Sequence, residues 1–552
     1  MFQQKLSSLS LVFLLFFIVG CSNITPVEEG EGIKISGTIT YDRVPVKQGN
    51  YGLISLDYTN IQKVTGKNLY IKVVDENGLL LYTTSSNAKG KYTVYVPENT
   101  PVKIRVYSRM YKKGRWDVSV VDNTNMKATY VMEGSLINSG SKPSIRNLHA
   151  SSGWDGEAYS GARNAAPFAI LDSINTVMQK VITAKPNITF PQLTVNWSVN
   201  NVAAGGDRSL GQIVTSNYDG ENNLWILGDA NSDTDEYDDH IIIHEWGHFF
   251  EDKFSRSDSI GGPHSSGDSL DIRVAFGEGW GNALSAIATD NPVYFDTSGY
   301  AQKSGWAMNI ESAQPENPGW FSEASIQRIL YDLYDKNHDG GDNLHLGFKP
   351  IFNAMVSQER NTPAFTSIFS FIHALKSENK SKSYKIDQVV ASEQIASISD
   401  AYGKYRSNSA GGSYTTPIYR DLKVGKWITQ CNQNQYGVYN KLGNRTFIKV
   451  KIDKAGFYTF DAQPYGGAYG DPDIVIYKAE YPLKSMGMSP LEGSSSDSLA
   501  ISLTPGNYLV EVYDASFNNS CFIVKLNKEA GTYKPVMSKG QIQRKPLRMP
   551  QY

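Results

Sequence analysis

The sequence predicts a multidomain protein in which a central α+β body is flanked by two antiparallel β-sandwiches. Three observations carry that expectation. A chain of 552 residues is longer than one hydrophobic core ordinarily organises. Apolar residues alternate with period two in 33–134 and again in 427–528, the pattern of strands with one buried face. Between these regions, in 153–410, apolar residues recur at helical spacing.

The first 20 residues carry Lys5 followed by an apolar run over 9–19, too short for a comfortable membrane span and read as a signal peptide. Ile18-Val19-Gly20-Cys21 resembles a bacterial lipobox. That resemblance implies acylation of Cys21, export, and a lipid anchor to a bacterial membrane, on the periplasmic side or at the cell surface. Residues 21–32 then form a polar tether.

Within 33–134 the alternating runs 33–39, 69–74, 92–96 and 103–107 are separated by turn residues such as Glu76-Asn77-Gly78 and Lys89-Gly90-Lys91. Their order resembles the transthyretin-like regulatory domains of carboxypeptidases and implies a spacer or docking module. Residues 135–152, rich in Ser, Asn, Gly and Pro, are expected to be a linker. A helix is expected over 162–184, where Phe168, Leu171, Ile174, Val177, Met178 and Val181 share one face before Pro186. Strands are expected at 193–198, 211–215 and 224–227, the last two joined by a turn at 217–220, with helices from 239 to 405. After a link at 411–426, strands in 427–528 follow the order seen in bacterial pre-peptidase C-terminal domains. Residues 529–552 read as a basic tail.

The charge balance of 53 Lys and Arg against 55 Asp and Glu gives no field that would favour nucleic acid. Once Cys21 carries lipid, only Cys431 and Cys521 remain, so a cysteine-based zinc cluster is excluded. Cys431 follows the first expected strand of the C-terminal sandwich and Cys521 opens the last, which in an oxidising compartment predicts a disulfide.

The chemistry lies in the middle. His244-Glu245-Trp246-Gly247-His248 sits in a helical pattern; histidines four apart lie one turn apart on one face, where both imidazoles reach a single ion and Glu245 stands beside it as general base. Glu278, thirty residues after His248, opens a second apolar helix and supplies a third ligand, leaving one position open. The segments His244–His248, Gly261-Gly262-Pro263 and Phe276 to Asn282 together resemble the gluzincin zinc peptidases, the fungalysin group especially. The resemblance implies a zincin-like metallopeptidase core that hydrolyses proteins or peptides, with Zn2+ on His244, His248 and Glu278. Many gluzincins carry Asp where this chain has Asn282; Asn can still accept the N–H of a ligand His, with less effect on its basicity.

Gluzincins also place a His or Tyr against the oxyanion. The segment from Asp342 to His345 resembles the thermolysin stretch that carries that His, making His345 the candidate, oriented by Asp342 or Asp339. No Tyr lies between His248 and Glu278, so the thermolysin tyrosine has no match, and His149, His240, His264, His338 and His373 receive no role. Asp335, Asn337 and Asp339 fit the first half of a Ca2+ loop, but Leu346 stands where the closing Glu belongs, and a helix-ending turn is the preferred reading. The rival function is a cell-surface binding lipoprotein with an inactive or structural zinc site. An exopeptidase would need a terminus-capturing group, for which no motif is found.

Overall fold

The computed structural model describes residues 31–49, 53–336, 343–407, 416–466, 470–489, 493 and 496–529. The chain is multidomain and β-rich, with largely antiparallel sheets and a group of helices in the middle. Among the described residues no helix is long and apolar enough to cross a membrane.

The long strand Ile33–Arg43 buries every second residue, Ile35, Ile39 and Tyr41 among them. It pairs antiparallel with Gln62–Thr65 and Lys91–Val96. On other edges it pairs parallel with Ser144–Ile145 and Leu148–Ala150. The expected linker is therefore built into sheet structure: Leu148 and Ala150 are buried in this sheet, and Ile137–Asn138 pairs with Pro101–Lys112 of a second one. Polar composition concealed these strands because each is only two or three residues long.

A second sheet runs through the expected domain boundary. Its order is Asn217–Tyr218, Asn223–Ile226, Leu193–Trp197, Trp116–Asp122, Pro101–Lys112, Leu69–Asp75, Leu80–Ser85. Leu193–Trp197 joins Trp116–Asp122 in parallel, so strands from both sides of residue 152 share one ladder. Ile35, Val106, Ile174, Trp246 and Phe276 accordingly belong to one hydrophobic core. The N-terminal β-region is a wall of the central body rather than a spacer. The expected strand at 211–215 is irregular, with Val214 at φ 71°, and its residues make only isolated bridges at Gln212 and Ile213.

Seven α-helices are described: α1 (Ala166–Ala184), α2 (Asp239–Phe254), α3 (Ile272–Thr289), α4 (Glu323–Tyr334), α5 (Phe348–Ala354), α6 (Ile368–Glu378) and α7 (Ser383–Ser392). Helix α1 opens with Pro167 at a position that needs no amide donor and buries the predicted face, Phe168 to Val181. Helices α2 and α3 pack side by side, and α4 covers α3. A small sheet of Gly228–Asp229, Asp233–Thr234, Val293–Ser298 and Ser304–Asn309 lies beside the start of α2.

The C-terminal region is a sandwich of a five-stranded and a four-stranded sheet around its own core, which includes Ile448, Phe460, Ile476, Val510 and Phe522. Tyr419–Leu422, expected in a link, is an edge strand parallel to Arg445–Ile452. Cys431 and Cys521 are directly opposed on antiparallel strands, with Cα atoms 4.0 Å apart, and are bonded. The sandwich is not free of the central body. Arg273 of α3, 1 % exposed, makes paired hydrogen bonds to Glu511 at 2.8 and 3.2 Å, and Arg445 meets the same carboxylate at 2.8 Å.

Candidate metal centre

Helix α2 presents His244, Glu245 and His248 on the side that faces α3, while Ile242, Ile243, Trp246, Phe249 and Phe250 are buried around it. Helix α3 is started by Asp271, whose carboxylate accepts the Arg273 amide, and carries Glu278 and Asn282 one turn apart. Two glycines let the helices meet. A Cβ on Gly247 would lie 3.0 Å from Gly281 Cα, and one on Gly281 would lie 2.8 Å from His244 Nδ1. The His244 ring thus rests on bare α3 backbone.

Three donor atoms converge. His244 Nε2 lies 3.0 Å from His248 Nε2 and 3.2 Å from Glu278 Oε2, and His248 Nε2 lies 3.3 Å from that same oxygen. His244 Nδ1 is 2.7 Å from Asn282 Oδ1. An amide oxygen can only accept, so Nδ1 carries the proton and Nε2 offers its lone pair toward the other two. His244, His248 and Glu278 form a buried cluster able to hold a metal ion.

Electrostatics follow from burial. Glu245 is 9 % exposed, and loss of water raises its carboxyl above the ordinary range despite the pull of His244 and His248. Burial acts on Glu278 in the same sense, but His264, His248 and His244 together outweigh it and hold this carboxyl well below the usual range.

His264, which sequence reasoning left without a role, stands at this cluster. Its Nε2 is 3.3 Å from Glu278 Oε2 and its Nδ1 is 2.8 Å from Glu323 Oε2. The available signal was positional: Gly261-Gly262-Pro263-His264 lies in the connection from α2 to α3, the two helices that carry the cluster. Among the described residues no hydrogen bond or ion pair joins His345 to the cluster. His345 is exposed, and its Nδ1 bonds the backbone carbonyl of Asp335 at the end of α4. A loop residue held by a local carbonyl takes its position from that loop, which the resemblance in residue order did not reveal. Tyr294, buried on the strand beside α2, comes within 6.3 Å of the His244 ring, centroid to centroid, and stacks on Trp306.

Cys21, Asn337, Asp339 and Asp342 lie outside the described residues. Asp335 follows the last residue of α4 in extended conformation, as in a helix-ending turn.

Residues 182–391 match the family described as the Mycolysin C-terminal domain. That span includes α2 and α3 and hence every residue of the cluster. No curated protein matches. Among solved structures, the pre-peptidase C-terminal domain of a Bacillus anthracis collagenase is 8 % identical. It covers 20 % of this chain and 93 % of that one, with a TM-score of 0.17. The surface-associated copper-binding protein CorA of Methylomicrobium album BG8 is 11 % identical, covering 20 % of this chain and 99 % of its own, with a TM-score of 0.15. A periplasmic inhibitor of g-type lysozyme from Aeromonas hydrophila is also 11 % identical, with coverages of 20 % and 98 % and a TM-score of 0.13. Likenesses at such scores carry no argument about function.

Proposed function

We propose that the chain is a zinc-dependent peptidase with a gluzincin-type, zincin-like α+β core, in which His244, His248 and Glu278 hold the metal. The observation that carries this reading is the convergence of the three donor atoms at 3.0, 3.2 and 3.3 Å. Ligands of a tetrahedral zinc with bonds of about 2.0–2.1 Å stand about 3.3–3.4 Å apart, so the set fits with adjustments of a few tenths of an ångström. Three protein ligands leave one position for solvent or substrate, whereas structural zinc sites are closed by four, and this favours a peptidase over a binding lipoprotein. The match to the Mycolysin C-terminal domain over the same residues supports a peptidase context.

Zinc held by His244, His248 and Glu278 would supply Lewis acidity for activating water and the scissile carbonyl. Glu245, raised in pKa by burial, takes the proton from the attacking water and delivers it to the leaving amine. His264, fixed at Nδ1 by Glu323, directs Nε2 into the cluster, where its N–H can meet the negative charge developing on the carbonyl oxygen. Asn282 holds His244 in the tautomer that coordination needs.

Export and a lipid on Cys21 belong to the same reading, supported by the signal-like start of the sequence and the lipobox-like tetrapeptide. Replacing Cys21 with Ser should release the protein from membranes. The decisive experiment for the chemistry is Glu245→Gln: zinc content and fold should persist while hydrolysis of a denatured protein substrate disappears. Near-normal turnover by that variant would overturn the mechanism, and activity unaffected by a zinc chelator would overturn the metal.

A further inference from the structure

We infer that Asp233, Asp235 and Asp296, with Asp238 beside them, form a binding site for a calcium-type divalent cation that ties the start of the metal-ligand helix to its flanking strand. One carboxylate oxygen from each of Asp233, Asp235 and Asp296 lies within 4.8 Å of the others. These side chains come from separate pieces of chain: the strand Asp233–Thr234, the turn before α2, and the strand Val293–Ser298.

Asp238 stands beside these three with a buried oxygen that no donor satisfies. It is fully buried; its Oδ2 accepts the Thr297 amide at 2.7 Å and the Thr297 hydroxyl at 2.8 Å, and its Oδ1 has no hydrogen-bond partner. The charges acting most strongly on it are those of Asp296 and then Asp233. Asp233 Oδ1 and Asp296 Oδ1 are likewise buried and without a hydrogen-bond partner among the described residues. Asp235, 3 % exposed, accepts one hydrogen bond from Ser216.

No lysine or arginine compensates these four carboxylates among the described ion pairs. The arginines that reach this end of α2 are already engaged, Arg43 by Asp239 and Arg163 by Glu236. Several buried carboxylates with no counter-charge must either take up protons or share a cation. Burial, with the neighbouring acids, pushes Asp233 up to about 7, which is the signature of a place where positive charge is wanted. An all-oxygen, carboxylate-rich set with irregular spacing and neither His nor Cys suits Ca2+, which tolerates variable geometry, better than zinc or Mg2+.

Such an ion would join Asp235, in the turn that leads into α2, to the strand that carries Asp296 and Tyr294, with the buried Asp238 carboxylate close by. It would therefore brace the elements on either side of His244 without touching the zinc ligands.

The test uses the full chain with zinc content measured in every sample, so that loss of zinc is told apart from loss of calcium. Trp306 pairs with Asp296 across the β-ladder and can sensitise bound Tb3+. The expected result is one Tb3+ displaced by Ca2+ per chain and a Tm raised by millimolar Ca2+. Asp296→Asn and Asp233→Asn should weaken that binding by at least about ten-fold, because the ligand charge count falls. In the absence of calcium their Tm should stay level or rise, since each removes like-charge repulsion. Absence of any calcium response in the parent protein, or an equal response in both variants, would overturn the inference.

Discussion

Gly281→Ala is the sharpest probe of how the candidate metal centre is built. The added methyl would sit 2.8 Å from His244 Nδ1, 2.9 Å from Cε1 and 3.0 Å from Cγ, where ordinary contact begins at 3.4 Å. Helix α3 is buried on nearly all sides and cannot retreat, so the ring must move by about 0.6 Å. That displacement opens the 2.7 Å bond to Asn282 and takes Nε2 out of register with His248 and Glu278. Metal bonds tolerate errors of only about 0.2 Å, and losing a partner that orients a ligand typically costs about 10–100-fold in affinity. Stability should respond much less. Ala is better than Gly in a helix by about 1 kcal/mol, and overpacking costs about 1–3 kcal/mol, leaving the metal-free fold within about 2 kcal/mol of the parent. Zinc affinity measured by competition with a chromophoric chelator, beside thermal unfolding of the metal-free protein, separates the two effects. Parental zinc affinity in Gly281→Ala would refute the packing argument.

His264→Ala should lower turnover by about 10²–10³-fold while zinc remains bound, as loss of an oxyanion donor does, whereas His345→Ala should leave turnover near that of the parent; the reverse ranking would return the role to His345. Glu511→Gln removes the charge shared by Arg273 and Arg445 and should destabilise the protein by about 3–5 kcal/mol, read by chemical denaturation. The same carboxyl predicts a pH response. Burial raises its pKa, but the two arginines outweigh that and bring it from 4.5 down to about 2, so its stabilisation is complete above pH 4.5 and is lost as pH falls toward 2. Acid unfolding of Glu511→Gln should lack that part of the transition. Reducing the Cys431–Cys521 bond opens a loop spanning a separation of 90 residues and should cost the C-terminal sandwich up to about 4–5 kcal/mol without changing peptidase turnover; equal stability of the reduced and oxidised forms would contradict this.

Short-range patterns are what the sequence determined by itself. Histidines at i and i+4 must share a helix face, so the pairing of His244 with His248 needed only the helical period, and Asn282 one turn beyond Glu278 followed from the same rule. Period-two alternation marked the strands Ile33–Arg43 and Lys91–Val96 because each has one face in a core. Tertiary structure alone decided which distant pieces meet. Strands of two or three residues, such as Ser144–Ile145 and Leu148–Ala150, carry too few residues for a period to show, and their place in the sheet comes from pairing with Ile33–Arg43. The parallel ladder between Leu193–Trp197 and Trp116–Asp122, which fuses the N-terminal region to the central body, is a long-range hydrogen-bond choice that composition does not encode. His264 lies in a loop, where no period constrains direction, so only the folded path of the chain brings it between Glu278 and Glu323. The three aspartates around Asp296 were invisible for the same reason: residues 233–238 and 296 are far apart in sequence, and a sheet edge meeting a helix start brings their charges together.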